Sequence, residues 1–332
     1  MRRFLAIIIV IASFSIGWFW MLYEDSISHS HISDEMGSTL VSIEKGQNLQ
    51  QIILTLDKQG VVEGRWFEWL VRLEGAASKI QAGEYEFSPG LTPRQILVFL
   101  VKGRVNQYAI TIIDGQTFKQ FLSDIQQHPA VKKTLPKQAS MAQYVELLNI
   151  PEKNMEGLLL AETYFFIKGT SDVELIKRAY RAMQVYVNTS WLKRDKKAVI
   201  DTVYKALILA SIVEKETGLA SERKKIAGLF IRRLEIGMKL QTDPTVIYGM
   251  GDEYKGDIRF RDLRTDTPYN TYTRYGLPPT PIAMPGKAAI DAVLHPEKTR
   301  SLYFVANGDG SHVFSKTLKQ HNAAVNKYQR NK

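Results

Sequence analysis

Leu207-Ile208-Leu209-Ala210-Ser211-Ile212-Val213-Glu214-Lys215-Glu216-Thr217-Gly218 completes an almost unbroken apolar run that begins at Ala206. Apolar residues fall on every side of a helical wheel, which predicts a helix buried on most faces. Gly218 is a candidate stop, because glycine enters the left-handed conformation at little cost. Such a helix delivers a carboxylate at its C-terminal end. Poor solvation and the negative end of the helix dipole both raise a glutamate's pKa there. A glutamate that keeps its proton near neutral pH can act as a general acid. The plainer reading is that the two glutamates mark where the helix surfaces. Periodicity does not choose between them: positions 214 and 216 lie about 200° apart on the wheel, so at most one faces a given cleft.

Outward from this stretch the chain carries further ordered signals. Ser221-Glu222-Arg223 reads as a helix start with Ser221 as N-cap. That helix contains Phe230-Ile231-Arg232-Arg233-Leu234 and ends near Gly237. Met238-Lys239-Leu240-Gln241-Thr242-Asp243-Pro244-Thr245-Val246-Ile247-Tyr248-Gly249 follows, then Pro268-Tyr269-Asn270-Thr271-Tyr272 and Gly276-Leu277-Pro278-Pro279. This series resembles the YceG-like family of endolytic peptidoglycan transglycosylases, from the apolar amino terminus to His321-Asn322. The resemblance implies that the second glutamate of Glu214-Lys215-Glu216 is the catalytic acid.

It also implies a substrate and a chemistry. Glu216 would protonate the oxygen joining N-acetylmuramic acid to N-acetylglucosamine in a glycan strand. The muramyl C6 hydroxyl would then attack C1 of its own ring, giving a 1,6-anhydro end. No second carboxylate, metal or other cofactor is called for. Gln241 and Asn270 are suited to sugar hydroxyls and N-acetyl groups. Tyr248 and Tyr272 can pack against a pyranose face. Asp243 is a candidate for the same site, or an N-cap ahead of Pro244. Glu156-Gly157-Leu158-Leu159-Leu160-Ala161-Glu162-Thr163-Tyr164 is similar to a family segment usually written E-G-x-L-x-P-D-T-Y, with Ala161 for the proline and Glu162 for the aspartate. Glu162 is expected in a supporting role at the substrate cleft, the alternative being a simple pair with an arginine. Arg233 is expected to pair with Glu214 in the core, leaving Glu216 as the free acid.

The amino terminus sets the location. Met1-Arg2-Arg3 precedes Phe4 to Tyr23, which holds no charge. About 20 such residues span a bilayer core as a helix. Trp18, Trp20 and Tyr23 gather at the far end, where amphipathic rings favour the interface. The run is long for a signal peptide and no A-x-A site follows it. A retained single-pass anchor is expected in the bacterial inner membrane, with Arg2 and Arg3 inside and the body of the chain in the periplasm. Residues 24–38, which include His29 and His31, read as a linker.

From 39 to 105 the pattern is a small α/β module. Val41-Ser42-Ile43 alternates like a strand, and Gly46-Gln47-Asn48-Leu49-Gln50-Gln51-Ile52 opens a helix. Helices are predicted at Trp66 to Leu73 and Pro93 to Val101, with a strand at Gly83 to Phe87 between them. This resembles the family's LysM-like subdomain, either a glycan contact or a spacer. Residues 106–332 complete a lysozyme-like YceG catalytic domain. Its scaffold includes a long helix from Asp172 to about Trp191 and a hairpin around Asn307-Gly308-Asp309-Gly310. The expected class is therefore α+β: a transmembrane helix at 1–23, the linker, the LysM-like subdomain and the catalytic domain.

The formal charge of +10 fits an anionic membrane or wall polymer. The lysines and arginines are scattered and no nucleic-acid motif occurs, which argues against nucleic acid. With no cysteine, disulfides and thiolate metal sites are excluded. The expected partners are peptidoglycan strands and the synthases that make them. Two other classes share these features. One is a muramidase, in which Asp243 or Glu162 activates water. The other is a non-enzymatic wall-binding scaffold.

Overall fold

The computed structural model describes residues 2–196 and 199–330, with the side chains of Arg2, Arg3, Met36 and Arg330 left out. The side chains of Arg2 and Arg3, the charges expected on the cytoplasmic side, therefore lie outside the described residues. The chain divides into two compact units. One is Met1–Tyr108 with Phe165–Gly169, and the other is Ala109–Tyr164 with Thr170–Lys332.

The first unit begins with α1 (Arg2–Ser28), followed by β1 (Thr39–Ile43), α2 (Leu49–Lys58), α3 (Gly64–Leu73), β2 (Gly83–Phe87) and α4 (Pro93–Lys102). β1 and β2 pair antiparallel, with Thr39 opposite Phe87 and Ile43 opposite Gly83. Asn48 and Thr92 start α2 and α4 with reciprocal capping boxes to Gln51 and Gln95. Val41, Ile43, Leu56, Phe67, Tyr85, Phe87 and Ile96 form the core. Among the described residues α1 is the one helix long and apolar enough to cross a membrane, with mean hydropathy 2.3. The segment expected as a linker differs from the reading. α1 continues past Tyr23 to Ser28, and Tyr23, Ile27 and Ile32 enter this core. The 19-23-27 spacing aligns one face of the helix, so the apolar stripe carries on where the charge-free run ends. Glu84, almost fully buried in β2, is paired with Lys168 at 2.6 Å.

β3 (Gln107–Thr111) pairs with β4 (Thr163–Ile167), and the division between the units falls inside both strands. The second unit contains α5 (Phe118–Gln127), α6 (Met141–Leu148), α7 (Asp172–Leu192), α8 (Val203–Glu216) and α9 (Ala220–Glu235). After these come α10 (Asp243–Met250), α11 (Phe260–Arg264), α12 (Lys287–Leu294), β5 (Tyr303–Ala306), β6 (His312–Ser315) and α13 (Leu318–Val325). β5 and β6 form the expected antiparallel hairpin.

α8 is the spine of this unit. Thr202 caps it by accepting from the Lys205 N–H, and Ala206 through Val213 are all buried. α7, α9, α10 and α12 pack around it. Ser211, buried in its middle, donates to the Ile208 carbonyl at 2.7 Å and accepts from the Ile282 N–H at 3.0 Å. That pair of bonds makes the one polar residue of the run tolerable.

The turn after α8 differs from the expected one. Gly218 does not take the left-handed conformation; Thr217 ends the helix in extended geometry, and its hydroxyl accepts from the Leu219 N–H at 3.0 Å. Ser221 is not the N-cap of α9. Leu219 holds that position without a side-chain bond, because the extended Thr217 has already turned the chain. A different glycine is under constraint. A Cβ on Gly228, in α9, would lie 2.1 Å from the Glu297 carbonyl oxygen, whereas one on Gly218 would meet nothing within 4 Å. Gly228→Ala is therefore expected to destabilise the protein by about 2 kcal/mol or more through a backbone clash. Gly218→Ala should leave the melting temperature within about a degree or two. Thermal melts of the two variants side by side check both.

Candidate active site

The buried spine ends at Glu216. Its carboxylate accepts a hydrogen bond from the hydroxyl of Thr242, and its pKa is pushed up to about 7. Burial is the largest cause. The Thr242 hydrogen bond lowers it, Asp243 raises it, and His312 and Arg233 lower it. Thr242 is the N-cap residue of α10, yet its side chain makes no capping bond. The hydroxyl that would ordinarily bond the first turn is spent on Glu216 instead.

The loop before α10 is held to make this possible. Gln241 has φ of 49°, a left-handed conformation that is uncommon for a side-chain-bearing residue. Its N–H donates to the Thr271 carbonyl at 3.2 Å, and the Thr242 N–H donates to the Thr271 hydroxyl at 3.1 Å. Thr245 and Thr271 share a further bond at 2.9 Å between buried hydroxyls. Arg233 donates to the Leu240 carbonyl and, at 2.7 Å, to the Leu302 carbonyl.

The other expected site residues divide sharply. Asp243 is the first residue of α10 rather than its N-cap, because Thr242 holds the capping position. It is exposed and accepts from the Tyr272 hydroxyl at 2.5 Å. Burial, then Asp243, raises the Tyr272 pKa. Gln241 is exposed beside them. Asn270, expected to meet sugar, is 0% exposed. Its amide donates to the carbonyls of Asp262, Leu263 and Thr265, and its oxygen accepts from the Tyr272 N–H at 2.8 Å. It builds the loop that carries Thr271 and Tyr272. Tyr248 turns its hydroxyl inward to Glu156 at 3.2 Å and sets its ring edge-to-face against Tyr269. Glu162 is half-exposed and paired with Lys287 at 2.5 Å.

The expected pair of Arg233 with Glu214 is replaced by another. Glu214 meets Arg223 at 3.3 Å and accepts from the Gly286 N–H at 3.0 Å. The connection from α8 to α9 is only three residues long, so the first turn of α9 reaches the Glu214 face. Arg233, in the last turn, reaches carbonyls instead. The two acids of the triplet thus differ as the helical wheel requires, one pinned by an arginine and a backbone amide, the other by a single hydroxyl.

The sequence profile of the YceG-like family matches residues 41–327. The chain belongs to the YceG-like family. A relative from Bacillus subtilis named endolytic murein transglycosylase is 33% identical, over 92% of this chain and 89% of that protein. A Streptococcus pneumoniae relative of the same name is 29% identical over 86% of this chain; the match spans 57% of that longer protein. A crystal structure of a yceG-like protein from Listeria monocytogenes has 33% identity and a TM-score of 0.53, covering 86% of this chain and 98% of that one.

Sequence reasoning missed a second buried acid of this YceG-like chain. Glu156 is 2% exposed, accepts from the Phe118 N–H at 2.9 Å and from Tyr248, and has its pKa raised to about 7, chiefly by burial. It stands in the segment that drew attention to Glu162, but the residue string does not say which of two glutamates is inside. Thr242 was missed as well. A threonine ahead of Asp-Pro reads as an ordinary cap, and only the tertiary fold diverts its hydroxyl.

The raised pKa has a thermodynamic consequence. The folded state holds the Glu216 proton more tightly than the unfolded chain, so its contribution favours folding at low pH. That advantage is lost as pH rises from about 4.5 to about 7. Glutamine can still accept from Thr242 but never ionises. Glu216→Gln should therefore match the parent's stability near pH 4.5 and exceed it above pH 7.5, by about 3 kcal/mol. Melting curves at the two pH values check the sign.

Proposed function

We propose that this protein is an endolytic murein transglycosylase that cleaves peptidoglycan strands with Glu216 as its acid and base. One observation carries the reading. A carboxyl group poised near neutrality ends the buried helix of a chain that is similar, over nearly its whole length, to relatives of that name. An acid with a pKa near 7 can give and take a proton within one cycle.

Protonated Glu216 gives its proton to the bridging oxygen as the C1–O bond breaks and oxocarbenium character develops. The C6 hydroxyl of the same muramyl ring closes on C1, and the ionised Glu216 takes its proton. The acid is restored, water is not consumed, and the tethered hydroxyl has a high effective concentration. Thr242 fixes the carboxylate. Asp243, Tyr272 and Gln241 contact the saccharide at the rim of the same loop. Tyr248 and Asn270 support that surface from inside, and Glu162 with Lys287 contributes from outside.

Residues 1–23 anchor the chain in the bacterial inner membrane, with the remainder periplasmic, so cleavage falls on nascent strands beside their synthases and terminates elongation. Residues 39–105 form a LysM-like subdomain and 106–332 the catalytic domain. The antiparallel pairing of β1 with β2 around α2 and α3, and the Gly46-x-x-Leu49-x-x-Ile52 opening of α2, support the LysM-like reading.

Purified glycan strands treated with the protein and analysed by mass spectrometry test this. Anhydro ends are expected, with the rate falling as pH rises above about 7 because the acid form is lost. Glu216→Gln should lower the rate by at least about a hundredfold while glycan binding persists. Reducing ends in place of anhydro ends would mean hydrolysis, with Asp243 as the base nearest Glu216. Full activity of Glu216→Gln would leave the scaffold reading ahead.

Thr242→Val removes the donor that lowers the Glu216 pKa. Its pH–rate profile should shift upward, and a profile that stays in place would remove Thr242 from the machinery.

A further inference from the structure

The first unit carries an exposed apolar pair on α3 beside the apolar helix α1. On α3, Trp66, Phe67, Leu70 and Val71 face the core, while Trp69 and Leu73 are 45% and 56% exposed. Positions 69 and 73 are one turn apart and lie on the same face. Two large apolar side chains on adjacent turns are not by themselves unusual. What they adjoin is decisive. The Phe19 ring of α1 meets Trp69 edge-to-face with 5.6 Å between centroids, and meets Trp66 in the same way at 5.2 Å. Tyr23, one turn on, also packs on Trp66.

This fixes a depth. If the charge-free run from Phe4 to Tyr23 fills the bilayer core, as the anchor reading above requires, Phe19 lies four residues from its far edge. At 1.5 Å per residue that is about 6 Å inside. A ring in direct contact with Phe19 cannot stand clear of the lipid. The coupling is also stiff. Tyr23 and Ile27 are buried in the unit's own core, and Ser26 donates to Glu63 at 3.2 Å just ahead of α3. α1 and α3 therefore cannot separate without exposing that core.

We propose that α3 lies on the membrane, with Trp69 and Leu73 set in the interfacial layer of the bilayer that α1 spans. The partner is the boundary between headgroups and acyl chains, where tryptophan side chains are favoured. It is not a specifically anionic surface. Arg72 is paired with Glu68 at 2.7 Å, and Glu63 and Glu74 at the two caps of α3 offset the charge of Arg65. The helix thus offers little free positive charge for acidic lipid.

The chain has no cysteine, so single-cysteine labelling is clean. Nitroxide labels at Ala12→Cys and Leu73→Cys, both exposed positions, are placed in the full chain in vesicles of phosphatidylcholine, with and without phosphatidylglycerol. Collision with oxygen and with a water-soluble nickel chelate reports depth. The label at 12 should sit in the core. The label at 73 should favour oxygen over nickel several-fold more than a free nitroxide in water does, equally in both lipids. A deep label at 12 with an aqueous label at 73 would overturn the proposal and leave the anchor intact. An aqueous label at 12 would overturn the anchor reading, and the proposal with it. A label at 73 that reaches the interface only with phosphatidylglycerol would overturn it too, since the attraction would then be electrostatic.

Discussion

One hydrogen bond organises the candidate site: the Thr242 hydroxyl to the Glu216 carboxylate. Burial pushes the carboxyl towards its neutral form, and this donor pulls it back. The result lies near 7, where a group can serve as acid and as base. Neither effect alone would place it there. Burial without a donor would lock the proton on, and a well-solvated carboxylate would lose it near pH 4. The bond requires Thr242 to give up capping α10, and it requires the left-handed backbone at Gln241 just before it. Those local costs persist because Thr271, Thr245 and Arg233 hold the loop from three sides.

The spine makes the arrangement rigid. α8 is enclosed by α7, α9, α10 and α12, so the last turn cannot tilt Glu216 out to water without opening the core. Glu214 serves the same end by different chemistry. Its charge is matched by Arg223 and a backbone amide, and it ties α8 to the start of α12. Removing one partner of so buried a pair leaves an uncompensated charge and costs about 3 kcal/mol or more. Two acids two residues apart thus hold different partners because the wheel sends them to opposite sides.

What could be read from the residues follows from range. The burial of α8 and the hairpin at 307–310 depend on neighbours within a few positions, and both are as expected. The partner of Glu214 is not of that kind. Arg223 and Arg233 both follow in sequence, and only the length of the turn after α8 decides which arrives. Asn270 shows the opposite error. An amide in a motif looks like a sugar contact, but its hydrogen bonds close on Asp262, Leu263 and Thr265 in its own loop. Glu216 was chosen over Glu214 by family resemblance, and no periodicity in the residues would have made that choice.

α10 joins two acids of the same kind. Thr242 at its start holds Glu216, and Tyr248, six residues on, holds Glu156. Six residues of helix rise about 9 Å, so one short rigid element registers both carboxyls. Both have pKa values raised to about 7, chiefly by burial, and both therefore weaken the folded state as pH climbs from about 4.5 to about 7. Their roles diverge at the surface. Glu216 lies beside exposed Gln241 and Asp243, whereas Glu156 is enclosed with the Phe118 amide and the Tyr248 hydroxyl as its donors. An enclosed acid that bonds the start of α5 and the last turn of α10 ties those two helices together. Under the proposed role of Glu216, loss of its acid form lowers activity at high pH, and ionisation of Glu156 weakens the folded state over the same range.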